Sequence, residues 1–296
     1  FPYTGEMTPD VIRRAALSEN YNGVELNEDL FVGRPPTFCT GCPHRGFFYE
    51  LGKKRKKIIV AGDIGCYSLA VGEPYDMMDT LICMGASFST GHGMQKIMEL
   101  KDDDDRRIVT VMGDSTFFHT GINSLINTVY NKGNTINVIL DNRITGMTGQ
   151  QDNPGTGLNI AQETTTIMDI EAIVKAIGIK NVRRVNPNNL KETKEAINWA
   201  LELQETSVII TDWPCKLKKK YNEDDYAKYD KMWQTKDTVL EDTCVGCKAC
   251  LRSGCASLIF NPDKKKVSIN PNTCVGCDVC LQICPYDAIV KDDKYV

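Results

Sequence analysis

Two cysteine runs near the C-terminal end restrict this chain more than any other feature. Cys244-Val-Gly-Cys247-Lys-Ala-Cys250 is followed by Cys255, and Cys274-Val-Gly-Cys277-Asp-Val-Cys280 is followed by Cys284-Pro285. The second run has the C-x2-C-x2-C-x3-C-P spacing at which three thiolates reach one iron–sulfur cubane and the fourth ligates a neighbouring one. The runs form an internal repeat, because Thr243-Cys-Val-Gly-Cys recurs at Thr273 and Leu258-Ile259 corresponds to Ala288-Ile289. By that crossover Cys244, Cys247, Cys250 and Cys284 hold one 4Fe-4S cluster, and Cys274, Cys277, Cys280 and Cys255 hold the other. The first run departs from the pattern: four residues separate Cys250 from Cys255, and Ala256 stands where proline is usual. An altered cluster geometry is expected there. The competing reading is a pair of structural zinc knuckles, but a duplicated triplet with a distant fourth ligand is rare for zinc.

The thirteen cysteines fall largely in C-x-x-C clusters in a chain without an export signal, which favours metal over disulfides. A length of 296 residues accommodates one large domain and a smaller module. The 39 acidic and 35 basic residues are interspersed, giving a net charge of -4 without the basic stripe that neutralises phosphates, so nucleic acid is not an expected partner. No apolar run approaches bilayer-spanning length and Phe1-Pro2-Tyr3-Thr4-Gly5 lacks a basic, then apolar, leader, so no membrane partner is expected and the location expected is cytoplasmic. That linker-like opening, without an initiator Met, also suggests a piece of a longer polypeptide.

Short β-branched runs at Ile58–Ala61, Ile108–Met112, Ile136–Leu140 and Ser207–Thr211 have the continuous apolar character of buried parallel strands. Between them Phe118, Ile122, Leu125, Ile126 and Val129 fall at helical spacing, as do Leu190, Thr193, Ile197, Ala200 and Leu201. This alternation predicts an α/β domain with a parallel sheet covered on both faces, followed by a small α+β two-cluster module. The domain boundaries expected are a linker over residues 1–33, the α/β domain over 34–215, a second linker over 216–238 and the iron–sulfur module over 239–296.

At the end of one expected strand stands Gly113-Asp114-Ser115, and after twenty-five residues, at the end of the next, Asp141-Asn142. The pair resembles the diphosphate-binding signature of thiamine-diphosphate (TPP) enzymes, with Ser115 and Asp141 departing from it. Gly113 lets the backbone approach a diphosphate, the Asp114 carboxylate and Asn142 amide oxygen are hard ligands for Mg2+, and a helix N-terminus after Ser115 would add its positive end. In that family a backbone carbonyl two residues beyond the Asn, here Ile144, completes the protein ligands. The alternative is an ordinary strand-to-helix turn with Asp114 as its cap.

Phe38-Cys39-Thr-Gly-Cys42-Pro43-His44-Arg45, Gly62-Asp63-Ile64-Gly65-Cys66, Cys83-Met84-Gly85-Ala86-Ser87, Gly146-Met147-Thr148-Gly149-Gln150 and Trp213-Pro214-Cys215 together resemble the 2-oxoacid:ferredoxin oxidoreductases, and within them the large subunit of the indolepyruvate branch. The resemblance runs from about Pro35 to the end. It implies a thiamine-diphosphate-binding fold with a ferredoxin-like module, cofactor contacts at Gly85, Ser87, Gly113, Asp114, Ser115, Asn142 and Ile144, and Mg2+ at Asp114, Asn142 and Ile144. It further implies oxidative decarboxylation of an arylpyruvate to an acyl-CoA, with electrons leaving through the clusters to ferredoxin. The rival readings are an iron–sulfur subunit without its own TPP chemistry and a sister enzyme for pyruvate or 2-oxoglutarate. The activating glutamate, the catalytic residue expected, belongs to a pyrimidine-binding domain upstream or on another chain, and a smaller beta subunit is implied as partner.

Cys39, Cys42, Cys66, Cys83 and Cys215 are left over. In pyruvate-type relatives, cysteines equivalent to Cys39, Cys42, Cys66 and Cys215 bind a third cluster near the TPP, whereas the indolepyruvate branch is described with two. A zinc site completed by His44, a redox dithiol or simply buried small residues stand beside that reading. Cys83 is expected in the core or lining the cofactor pocket. Asp102–Asp105 reads as a solvated turn, Lys53–Lys57 as an exposed helix end, and His44, His92 and His119 as structural histidines, with a catalytic role open for His44 or His119 by proximity.

Overall fold

The computed structural model describes residues 1–19, 27–33, 35–101, 104–220, 235–292 and 294. The chain divides into two compact units, Phe1–Pro36 and Thr37–Val296. In the first, helix α1 (Pro9–Leu17) starts where the Thr8 side chain accepts a hydrogen bond from the Val11 amide and Pro9 pre-sets the first turn. None of its residues is buried. The stretch read as a linker over residues 1–33 therefore contains a helix.

The second unit begins with α2 (His44–Gly52), β1 (Ile58–Ala61), α3 (Ser87–Lys101) and β2 (Arg107–Gly113). A helical segment follows in three pieces: α4 (Asp114–Thr116), a π-helical turn (Phe117–Gly121) and α5 (Ile122–Tyr130). Then come β3 (Ile136–Asp141), α6 (Ile170–Ala176), β4 (Asn181–Val185), α7 (Leu190–Glu202) and β5 (Ser207–Asp212). The five strands form one sheet in the order β1-β2-β3-β5-β4, with every pair parallel. Its inner strands are buried on both faces, which is why their sequences read as unbroken apolar runs. Val109, Val111, Val138, Leu140 and Ile209 point into one core with Phe47, Phe48, Ala196 and Ile197, while Met112, Ile139, Val208 and Ile210 point into the other with Phe88, Phe117, Leu125 and Val174. Ile126, expected on the apolar face of its helix, is 48% exposed because Leu125 faces the core.

Strand β4 is absent from the apolar pattern of the sequence. It lies at the sheet edge, paired only with β5, and Arg183 and Arg184 interrupt its Val182–Val185 alternation.

The C-terminal module comprises β6 (Asp237–Val239), β7 (Leu258–Asn261), β8 (Lys266–Ile269), α8 (Val279–Ile283) and β9 (Ile289–Lys291). Antiparallel pairs β6–β9 and β7–β8 enclose a small core of Leu258, Val267, Ala288 and Ile289 with Cys244, Cys250 and Cys280. The module is seated on the sheet domain through Val279 and Ile283 against Leu190. There Gln282 accepts the Leu190 amide at 2.9 Å, one of the orphan donors at the start of α7, and donates to the Asn188 carbonyl at 2.7 Å. Two features revise the linker expected over residues 216–238. Lys218 is buried, donating to the Arg143 carbonyl at 2.9 Å beside Asp152, and β6 opens at Asp237. The rest of that stretch, residues 221–234, lies outside the described residues, as do Asp102 and Asp103. No helix of the described residues is long and apolar enough to cross a membrane.

Candidate functional site

Parallel strands present their carboxyl ends on one side of a sheet, and a crevice opens there. The segments after β1, β2, β3 and β5 are Gly62–Cys66, Asp114–Thr116, Asn142–Thr148 and Trp213–Cys215, so topology gathers motifs scattered over 150 residues of sequence. The crevice is lined by Ile64, Gly65, Cys66, Tyr67, Met84, Gly113, Asp114, Ser115, Thr116, Asn142, Ile144 and Gly146 to Thr148, with His44 at its wall. Gly113, Asp114, Ser115, Asn142 and Ile144, marked in the sequence as cofactor contacts, thus share one surface.

Asp114 is 3% exposed. Its Oδ1 accepts the Ser115 amide at 2.8 Å and its Oδ2 accepts the Asn153 side-chain amide at 3.0 Å. Burial, and then the nearby Asp141 carboxylate, push Asp114 up to about 8 despite those donors. A divalent cation beside such a carboxylate would favour its ionised form. Asn142 is buried too, and its Oδ1 accepts the Ile144 amide at 3.3 Å, leaving acceptor capacity on an oxygen that faces the same space. Carboxylate, amide and carbonyl oxygens form the hard donor set that Mg2+ prefers. A Cβ at Gly113 would come 2.8 Å from Cε1 of Tyr67, so only glycine leaves the backbone open there. The residues present fit a magnesium-bridged diphosphate.

Gly85 and Ser87 are placed by a residue the sequence reading did not single out. Asp63 is fully buried, and its carboxylate accepts the amides of Ile64 at 2.8 Å, Gly85 at 2.8 and 3.0 Å, and Ser87 at 3.0 Å. This fastens the loop after β1 to the start of α3. Cys83, expected in the core or lining the cofactor pocket, is exposed and is not among the residues that line the crevice; its neighbour Met84 is.

Asp141, where the signature usually has Asn, does not line the crevice. Its register partner on β5 is Asp212, and the two carboxylates are neutralised by Arg143, 3.5 Å from Asp141 and 3.0 Å from Asp212, and by Arg184, 3.3 Å from Asp212. Burial raises Asp141, and these arginines oppose the rise. The departure at this position is thus a structural ion-pair cluster. Ser115, the other departure, does line the crevice.

His44 is 2% exposed, and neither ring nitrogen has a hydrogen-bond partner among the described residues. Burial lowers it to about 4, leaving a neutral ring between Tyr67 and Phe38. His119 is exposed, with Nδ1 2.6 Å from Thr120 Oγ1.

The cysteines assemble in three groups. Burial first, then Cys284, Cys247 and Cys244, raise Cys250 to about 11. Burial, with Cys255 and Cys274 adding to it, raises Cys277 to about 12, and Cys280 is raised by burial, then Asp237, then Cys277, Cys255 and Cys274. Each repeat's triplet therefore sits with the distant cysteine assigned to it by crossover. Near the crevice, Cys66 is raised to about 11 by burial, Cys215 and Cys39; Cys42 is raised by burial with Cys215 and Cys66 contributing; and Cys215 is raised by burial, with Cys39 and Asp114 contributing. Cys39, Cys42, Cys66 and Cys215 are thus mutual neighbours beside Asp114. Among the described residues no three His, Cys, Asp or Glu side chains converge tightly enough for a single metal ion.

The family model described as thiamine pyrophosphate enzyme, C-terminal TPP binding domain, matches residues 63–211, half of the chain, and that of the 4Fe-4S dicluster domain matches residues 243–288. Indolepyruvate oxidoreductase subunit IorA of Pyrococcus abyssi is 38% identical over 98% of this chain and 45% of its own length. The IorA of Methanothermobacter marburgensis is 36% identical over 99% of this chain and 46% of its own. The chain therefore spans less than half the length of these curated relatives. A 2-oxoglutarate:ferredoxin oxidoreductase from Magnetococcus marinus, solved with 2-oxoglutarate, coenzyme A and succinyl-CoA bound, shares the fold with a TM-score of 0.56 at 21% identity, over 68% of this chain and 72% of that one. A TPP-binding parallel sheet joined to a two-cluster module, homologous along nearly its whole length to IorA, places this chain in the 2-oxoacid:ferredoxin oxidoreductase family of thiamine pyrophosphate enzymes.

Proposed function

We propose that this chain supplies the magnesium-diphosphate half of a TPP site and the iron–sulfur wire of an oxidoreductase that converts arylpyruvates of the indolepyruvate class to acyl-CoA and CO2. The observation that supports this most is the meeting of Asp114, Asn142 and Ile144 with Cys66 in one crevice at the strand ends. Thiamine diphosphate, when bound, supplies the electron sink that lets CO2 leave a 2-oxoacid.

The remaining work belongs to the chain's own residues. Asp114, the Asn142 amide oxygen and the Ile144 carbonyl would hold the magnesium, and the backbone at Gly113 with Ser115, both lining the crevice, would receive the diphosphate. Gly85 and Ser87, fastened by Asp63, do not themselves line the crevice but follow Met84, which does. Neutral His44, Tyr67 and Met84 wall the crevice against water. Two electrons would leave for each acyl group formed; 4Fe-4S clusters held by the cysteine sets named above would supply a one-electron relay to ferredoxin, with coenzyme A accepting the acyl group. Thiolate-ligated clusters reach potentials near ~-400 mV, which suits that acceptor.

The quartet Cys39, Cys42, Cys66 and Cys215 holds a third 4Fe-4S cluster in this reading, as the first acceptor. Residues 34–215 form the TPP domain, and the relay module opens with β6 at Asp237. The activating glutamate lies on a pyrimidine-binding domain outside these residues, a smaller beta subunit completes the enzyme, and the assembly works in the cytoplasm. Anaerobic analysis of iron, sulfide and thiamine diphosphate on one sample of the whole protein tests the cofactor set. Comparing acyl-CoA products from aryl and aliphatic 2-oxoacids tests the substrate class: a preference for pyruvate or 2-oxoglutarate would replace the arylpyruvate assignment.

A further inference from the structure

The side chain of Arg45 is nearly absent from the surface, at 1% exposure, yet no carboxylate pairs with it among the described residues. Its guanidinium instead donates to backbone carbonyls at two places far apart in sequence. Nε reaches the Cys39 carbonyl at 2.9 Å and Nη2 the Phe38 carbonyl, while Nη1 reaches the Ser253 carbonyl at 3.0 Å and the Tyr75 hydroxyl at 3.4 Å. The Tyr75 hydroxyl itself donates to the Ser253 carbonyl.

Ser253 belongs to the 3-10 turn Ala249–Ser253, inside the four-residue spacer between Cys250 and Cys255 that breaks the ferredoxin pattern. Gly254 closes that turn at φ +64, and a Cβ there would lie 3.0 Å from Pro74 and 3.1 Å from the Tyr75 hydroxyl. The irregular spacer is therefore shaped to meet Arg45 and Tyr75. On its other side Tyr75 feels Cys42 as well as Cys255, after burial and Arg45, in the influences that set its ionisation.

A buried cation without an ionic partner is costly to maintain. Negative charge is supplied on both sides of Arg45 once thiolate-ligated clusters occupy the cysteine groups. Reduction adds one more negative charge to a cluster, so a fixed neighbouring cation favours the reduced form.

We propose that Arg45, braced by Tyr75, is a positioning residue of the electron path: its charge raises the reduction potential of the cluster that Cys255 helps to hold, and its fork locks the Cys250–Cys255 spacer against the Cys39–Cys42 loop. The proposal rests on the cluster assignment made above. Each passage moves one electron from the centre on the Cys39 side, which is oxidised, to the cluster at Cys255, which is reduced. No bond forms or breaks, and no proton is transferred.

The test is an anaerobic redox titration of the full-length protein followed by electron paramagnetic resonance, with iron content measured on the same samples and no 2-oxoacid present. It needs neither thiamine diphosphate nor turnover, so its outcome is separate from that of the catalytic reading. In Arg45→Met, one cluster signal is expected to need a driving force at least tenfold greater for half-reduction, a fall of about 59 mV for one electron, with iron retained. Arg45→Lys, which keeps the charge without the fork, is expected to stay near the wild-type potential, and Tyr75→Phe, which removes a neutral hydroxyl, likewise. Unchanged potentials in an iron-replete Arg45→Met would overturn the proposal. If Arg45→Met loses iron, Arg45→Lys decides: a wild-type potential supports the charge assignment, and a tenfold shift or loss of iron there overturns it.

Discussion

Asn153 holds Asp114 in place: its side-chain amide donates to Oδ2 at 3.0 Å, while its own oxygen accepts the Gly155 amide at 2.9 Å and so fixes which way the amide points. Both residues are buried. The carboxylate is thus oriented toward the crevice before any cation arrives. Replacing Asn153 by Ala should weaken magnesium affinity by about 10- to 100-fold, the usual effect of losing a partner that orients a metal ligand. Calorimetric titration of the full-length protein with Mg2+ and thiamine diphosphate checks this, and iron content should stay unchanged.

Cys215 follows β5, and its amide donates to the carbonyl of Asn142, a residue that lines the crevice, at 2.8 Å. Its thiol neighbours those of Cys39 and Cys42. Cys215→Ala should lower the iron content of anaerobically purified protein from about twelve to about eight per chain, the loss of one cubane. Eight irons in both wild type and variant would leave the quartet without a cluster.

Asp79 anchors the outer strand of the sheet. Burial raises its carboxyl, but the forked pair with Arg55 at 2.6 and 2.8 Å and the Val60 amide at 2.7 Å outweigh burial and hold it below the ordinary 3.8. A carboxylate depressed in the native state contributes stability above its unfolded value, and that contribution disappears as pH falls through the native one. Because the pair is half exposed, Asp79→Asn should cost only about 0.5–1 kcal/mol at pH 7. The difference between variant and wild type should close as the pH falls below the ordinary 3.8 and through the lower native value, as followed by denaturant unfolding.

What could be read in the sequence follows from how local each signal is. The two cysteine triplets lie within seven residues each, so their spacing alone points to cubanes. Strands β1, β2, β3 and β5 announce themselves because burial on both faces demands continuous apolar runs. Edge strand β4 escapes that rule. Asn153 and Asp63 were not legible as site residues, since each acts through a partner twenty-two or thirty-nine positions away that only the fold brings near. The Asp141 departure from the diphosphate signature looked like a weakness of the motif. It is explained by Arg143 and Arg184, one of them on a strand that the apolar pattern did not reveal.

The irregular spacer before Cys255 carries a similar lesson. Its extra residue reads as a defect when compared with the regular second run, yet its Ser253 carbonyl is a second point, besides the Gln282 contact, at which the sheet domain grips the module. A spacing rule records what a cluster needs and is silent about what a neighbouring domain needs.

Asp114 would hold the magnesium of a bound diphosphate where β2 and β3 end. Titrating thiamine diphosphate into the complete, anaerobically purified protein, with Mg2+ or with a chelator, tests it most directly. Saturable binding that requires Mg2+ and falls by at least about 100-fold, near 2.7 kcal/mol, in Asp114→Asn, with all iron retained, is the predicted result. Binding that ignores both the chelator and the substitution would contradict it.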